Sequence, residues 1–173
     1  MIRRFFLAAF AALALLGMMP AQAQQQWIEY RPPGAGYRIE FPGTPAASET
    51  DSATAVGQVH SSIATLDHGG KTFLLMRTVY PQAVAGASPR KVMASARDGL
   101  AGNGKLRETK DLSINNLPAR RLIIDRTHTG RVMVVLQVMS GTWLYQAFCL
   151  VRPGEETSPD VERFLGSFAL VPR

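Results

Sequence analysis

Cysteine is almost missing from this chain: among 173 residues there is one, Cys149. A lone cysteine excludes an intrachain disulfide even where the compartment permits one, so the fold has to rest on its own core. Histidine is scarce too. His60, His68 and His128 are the whole set, and a structural zinc site takes four ligands, a catalytic one three plus an open position. Asp67 beside His68 and Asp125 near His128 come nearest to ligand pairs, and ordinary turn polarity explains both. Also missing are a G-x-S-x-G elbow, a Cys and His signature and a glycine-rich phosphate loop. Gly102-Asn103-Gly104 follows a helical pattern instead of opening one, so it lacks the free N–H groups that cradle phosphate. A triad of Asp125, His128 and a serine can be drawn, but spacing does not select it. No catalytic residue, metal or cofactor is expected from these patterns.

Long apolar runs are lacking after the N-terminus. The chain opens "MIRRFFLAAFAALALLGMMPAQAQQQ": two arginines, an apolar run from Phe5 to Met19, then Ala21-Gln22-Ala23, small residues where a signal peptidase cuts. This pattern predicts a secretory signal peptide over residues 1–23, with cleavage after Ala23 and a retained N-terminal anchor as the alternative. The run is shorter than the roughly 20 residues of a spanning helix. No cysteine follows it to carry a lipid. The expected address is a bacterial periplasm, with no transmembrane segment once the leader is removed.

The formal net charge is +6, and removing Arg3 and Arg4 with the leader lowers it to +4. From Arg90 to Arg131 ten Lys or Arg face four acids. A basic middle of this kind can meet anionic lipid, an acidic protein face or a polyanion; a solvated helix and sheet face is the plain alternative. The export signal and the absence of a reader motif argue against nucleic acid.

Residues 24–36, with Pro32, Pro33, Gly34 and Gly36, read as an N-terminal linker, and 37–173 as one domain of a size that buries a core unaided. In "YRIEF" the residues Tyr37, Ile39 and Phe41 share one face, and Pro42 and Pro45 end the pairing. Polar residues from Ala46 to Ser52 predict an edge strand. "GQVHSSIATLD" and "KTFLLMRTVYP" form a hairpin turned at Gly69-Gly70, which supply positive φ. Ser88-Pro89 opens a helix with Val92, Met93, Ala96 and Leu100 on one face. Four strands follow, "KLRETKDLSI", "ARRLIIDRTH", "RVMVVLQVMS" and "TWLYQAFCLVR". Their short breaks force an antiparallel meander. The third is apolar on both faces, which places it centrally with both sides covered. Ser158-Pro159 opens a second helix with Val161, Phe164, Leu165 and Phe168 as its stripe. Cys149, inside an apolar strand, reads as a small buried hydrophobe.

Phe41, Pro42, Gly43 and Pro45 near the start, "INNLPARRLIIDR" in the middle, and Phe164, Leu165, Ser167 and Phe168 near the end carry a resemblance that covers nearly all of residues 37–173. In this order of elements the chain resembles the PsbP/Mog1-like fold, including small exported bacterial domains of unknown function. The resemblance implies an α+β fold, an antiparallel sheet of about six to seven strands flanked by two helices, and an accessory or binding role more often than a catalytic one. Within it, "YRIEF" looks like the entry strand. Fold does not fix function.

Arg120 and Arg121 adjoin in a strand and so point to opposite faces, with Arg126 on the Arg120 face and Arg131 across the next turn. Arg120, Arg126 and Arg131 are therefore the expected partner-binding residues, forming an exposed basic patch for carboxylate or phosphate groups. Trp143 and Tyr145 are expected in the core, with the floor of a shallow pocket as the alternative. The resulting expectation is a non-catalytic exported module that recognises a protein or an anionic envelope component. A small-ligand or metal carrier comes second and a hydrolase third.

Overall fold

The computed structural model describes residues 26–54, 56–102 and 104–172. The signal peptide expected over residues 1–23 lies outside the described residues. Seven antiparallel strands make the main sheet, in the order β3-β4-β5-β9-β8-β7-β6. They are β3 Ala46–Thr54, β4 Gly57–His68, β5 Lys71–Val79, β6 Lys105–Ile114, β7 Leu117–Arg126, β8 Arg131–Ser140 and β9 Trp143–Val151. Two helices, α1 Pro89–Ala101 and α2 Pro159–Gly166, lie on opposite faces of it. A second sheet of three short strands, β1 Ile28–Tyr30, β2 Tyr37–Phe41 and β10 Ala169–Leu170, stands over the α2 face. The architecture is α+β.

Turn chemistry sets the register. His68 pairs with Lys71 around Gly69 and Gly70, whose φ values of 57° and 72° suit the tight hairpin that a right-twisted strand pair prefers. Asn115 and Asn116, at φ 50° and 63°, do the same between Ile114 and Leu117. Asparagine tolerates this region better than other residues with a Cβ. Gly104 is needed for space: a Cβ there would meet the Asp125 carbonyl oxygen at 2.7 Å.

The larger core fills the α2 face. Tyr37, Ile39 and Phe41 of β2, all buried as their alternation predicts, press on Phe73, Tyr145 and Cys149 of the sheet and on Val161, Phe164 and Leu165 of α2. Phe164 sits edge-on to both Phe41 and Phe73, with centroids 5.0 and 5.2 Å away. Each such side chain contributes roughly 1.5–3 kcal/mol through burial. On the other face, Met93 of α1 packs on Met139 and Leu144, and Leu100 on a cluster around Leu122, Ile124 and Phe148. β8 is buried from Val132 to Met139, since core lies on both its sides.

Three expectations change. The segment read as a linker carries β1, which pairs with β2 from Ile28 to Tyr30, while Trp27 and Tyr30 pack on the core. Three residues ahead of a proline pair give too short an alternation to register as a strand. β2 belongs to the small sheet and not to the main one, so the entry strand lies across the core as part of its cover. Ser88 and Ser158 occupy the N-cap positions, but neither hydroxyl makes a cap hydrogen bond. The Ser88 carbonyl instead accepts from Lys91 and Val92 at 2.9 and 3.1 Å.

Candidate functional site

The arginines divide by face as the sequence predicts, but they do not form one exposed patch. Arg120 is 7% exposed and donates from Nε to Asp111 at 2.7 Å, with Arg90 of α1 reaching the other Asp111 oxygen at 3.6 Å. That ion pair holds the Asp111 carboxyl below its usual range, chiefly through the Arg120 hydrogen bond. The expectation that Arg120 is exposed fails because β6 carries Asp111 to the rung beside it and α1 closes over the same face. Along the same row, Gln137 and Gln146 are buried, and Arg120 Nη1 and the Gln137 amide atoms find no partner within the described chain. Arg121, on the opposite face, grips Glu162 of α2 at 2.7 and 3.1 Å.

Arg126 and Arg131 face each other across the end of the β7-β8 hairpin. Arg126 Nη1 donates to the Leu100 carbonyl at 2.8 Å, where the end of α1 favours a cation. Arg131 Nη2 donates to the Leu150 carbonyl at 3.2 Å and to the Gly70 carbonyl. Arg152, exposed just after β9, brings Nη2 against the same Gly70. Among the described residues no carboxylate lies within ion-pair reach of these three guanidinium groups. Nearby acids are engaged elsewhere: Asp125 and Glu156 by Arg107, Asp160 by Lys71 at 3.4 Å, and Glu155 by the Arg152 backbone N–H at 3.1 Å. Arg107 reaches its two acids from the one break in the β6-β7 register, between Leu106 and Glu108. Burial alone would raise Glu156, but the hydrogen bond from Arg107 holds it low.

A cleft of about 310 Å³ opens on the α2 face, between the β1-β2 turn and the β3-β4-β5 strands. Tyr30, Pro32, Pro33, Ala35 and Tyr37 wall one side, and Ala47, Glu49, Ser62 and Arg77 the other. The Arg77 guanidinium lies over Trp143, 5.1 Å from the ring centroid, and its buried Nε finds no acceptor among the described residues. Burial raises Tyr30 and Tyr37, while the Arg77 charge pulls both back down. Tyr145 is core; Trp143 is half-buried and floors Arg77.

The residues with nucleophilic or acid-base character stay apart. Cys149 is fully buried, and that burial pushes its thiol far above the ordinary range. His128 is exposed in the β7-β8 turn, while Asp125 is tied to Arg107. His60 has acids that sequence spacing missed, Asp51 at 2.8 Å and Glu49 at 3.9 Å, because the β3-β4 register brings them beside it. Among the described residues no group of three or more metal-ligating side chains is placed to hold an ion. Sequence reasoning also missed Arg77 and Arg152. Arg77 leaves a signal: in "FLLMR" it continues the inward-facing series of Phe73 and Leu75, a charged residue where the core period calls for an apolar one.

The chain is similar in structure to cyanobacterial PsbP (CyanoP) from Synechocystis, with a TM-score of 0.52 at 12% identity, covering 90% of this chain and 98% of that one. A protein of unknown function from Pseudomonas aeruginosa, PA94, aligns with a TM-score of 0.43 at 15% identity, covering 86% and 98%. No family model matches the sequence, and no curated protein does. The fold is PsbP/Mog1-like, as the order of elements implies.

Proposed function

On this PsbP/Mog1-like scaffold, we propose that the chain is a non-catalytic, exported accessory module that binds an acidic protein face or another anionic envelope component. The observation that carries this reading is the cluster of Arg126, Arg131 and Arg152 at one end of the sheet. Among the described residues the Arg126 and Arg131 guanidinium groups find only backbone carbonyls and none of the three has a carboxylate partner, while Asp125, Glu156 and Asp160 are paired with other cations and Glu155 accepts from a backbone N–H. A carbonyl contact fixes an arginine without cancelling its charge, so the end keeps a field that an anionic partner can meet. The surface differs from the one the sequence suggests: Arg152 takes the place of buried Arg120. The leader of residues 1–23 supports export. Buried Cys149 and the engaged Asp125 support a binding role over a hydrolase.

The test is native mass spectrometry of the mature chain isolated from its own envelope at low and at high salt. An anionic partner retained at low salt and released at high salt supports the reading, because exposed charges are screened within about 10 Å at 0.1 M salt. Recovery of the bare chain at both would sink it. A small-ligand carrier is the second reading, favoured by the cleft at Arg77.

A further inference from the structure

Glu49, Ser62 and Arg77 stand on one rung across three strands. The register pairs Glu49 with Ser62 and Ser62 with Arg77, and all three line the cleft below the β1-β2 turn. Two strand spacings separate the outer Cα atoms, about 10 Å. The two charges do not close into an ion pair, and a hydroxyl lies between them. An anion on the Arg77 side and a cation on the Glu49 side would each find an opposite charge.

Arg77 is the sharper half of the arrangement. Arg38, Arg120, Arg121 and Arg163 each hold a carboxylate, whereas Arg77 rests on the Trp143 ring and keeps a buried Nε without an acceptor. Burying a donor unpaired is costly, and a planar carboxylate is the group whose geometry a guanidinium matches with two parallel hydrogen bonds. The rim carboxylate of Glu49, which the His60 ring approaches at 3.9 Å, lies on the far side of Ser62 from Arg77, and its negative charge disfavours a doubly charged phosphate and favours an ammonium group. Tyr30, Tyr37, Pro32 and Pro33 offer an apolar and aromatic wall of the kind that small-molecule clefts use.

We propose that this cleft binds a small zwitterion of the α-amino-acid class: carboxylate on Arg77, ammonium towards Glu49, and an apolar or aromatic side chain against Tyr30 and Tyr37. The site stands apart from the arginine cluster, since Arg77 lies six residues along β5 from the hairpin end at Lys71, roughly 20 Å away. The two therefore fail or stand independently.

Three probes with one body separate the parts: L-phenylalanine, 3-phenylpropionate, which lacks the ammonium, and phenethylamine, which lacks the carboxylate. Titration of each into the mature chain, followed by calorimetry and by backbone amide shifts, gives the expected order phenylalanine, then phenylpropionate, then phenethylamine unbound. Arg77→Gln weakens both acids by about tenfold or more, and Glu49→Gln weakens phenylalanine alone. If Arg77→Gln disturbs folding by leaving Trp143, Arg77→Lys keeps the charge and loses the paired hydrogen bonds, and it shows the same loss for both acids. No binding of either acid at millimolar concentration, or equal binding by a folded Arg77 variant, overturns the site. Equal affinity for the two acids overturns the part given to Glu49.

Discussion

At the scale of single residues, burial decides what an arginine can do. Alternation along β7 sends Arg120 and Arg121 to opposite faces, and that much is legible in sequence. The fate of each is not, because Asp111 and Glu162 arrive from a neighbouring strand and a distant helix. The Asp111 to Arg120 pair makes stability depend on pH. The folded Asp111 value lies below the unfolded one, so the contribution is complete above the unfolded carboxyl range near pH 4 and is lost as pH falls through the folded value. Asp111→Asn should lower the melting temperature at pH 7 and flatten the acid limb below pH 4, so that the two proteins converge at the acid end. A constant difference between them at every pH would contradict the assignment. Cys149 gives a second check: a thiol reagent should leave the native protein untouched and titrate one thiol after denaturant is added. Rapid labelling of the native chain would place the thiol outside the core.

Elements with strong local signals are the ones that sequence specifies. The Gly69-Gly70 hairpin, the Ser-Pro openings of both helices, the doubly apolar β8 and the meander from β6 to β9 all follow from periodicity and turn residues. β1 and the placement of β2 do not, because both depend on which face of a distant sheet is left to cover. The Asn115-Asn116 turn is a test at this scale. Asn116→Val puts a β-branched side chain at φ 63° and should cost about 1–2 kcal/mol in a urea unfolding experiment. Asn116→Gly should be neutral or gain slightly, since glycine is the residue that such turns prefer at their second position. Equal midpoints for valine and glycine variants would mean that the turn does not hold the β6-β7 register.

For the whole molecule, the fold puts α1 and α2 on opposite faces, and each face takes one of the adjacent arginines into an ion pair with an acid. Among the arginines of the described residues without a carboxylate partner are Arg126, Arg131 and Arg152 at the hairpin end and Arg77 in the cleft. The resemblance to the PsbP/Mog1-like fold could be read from short motifs at Phe41–Pro45 and Phe164–Phe168. The basic end is legible in part, since Arg126 and Arg131 flank one turn, but Arg152 joins them only through the sheet; the cleft is not, because the β1-β2 turn meets β3, β4 and β5 only in the fold. The two are separable by charge. The most direct measurement is the dissociation constant of the proposed anionic partner for the wild-type chain, for Arg131→Glu with Arg152→Glu, and for Arg77→Gln as a control away from the sheet end. The account predicts a loss of about tenfold or more for the double charge reversal, concentrated in the association rate and strongest at low salt, with Arg77→Gln unchanged. Full affinity in a folded double variant would contradict it.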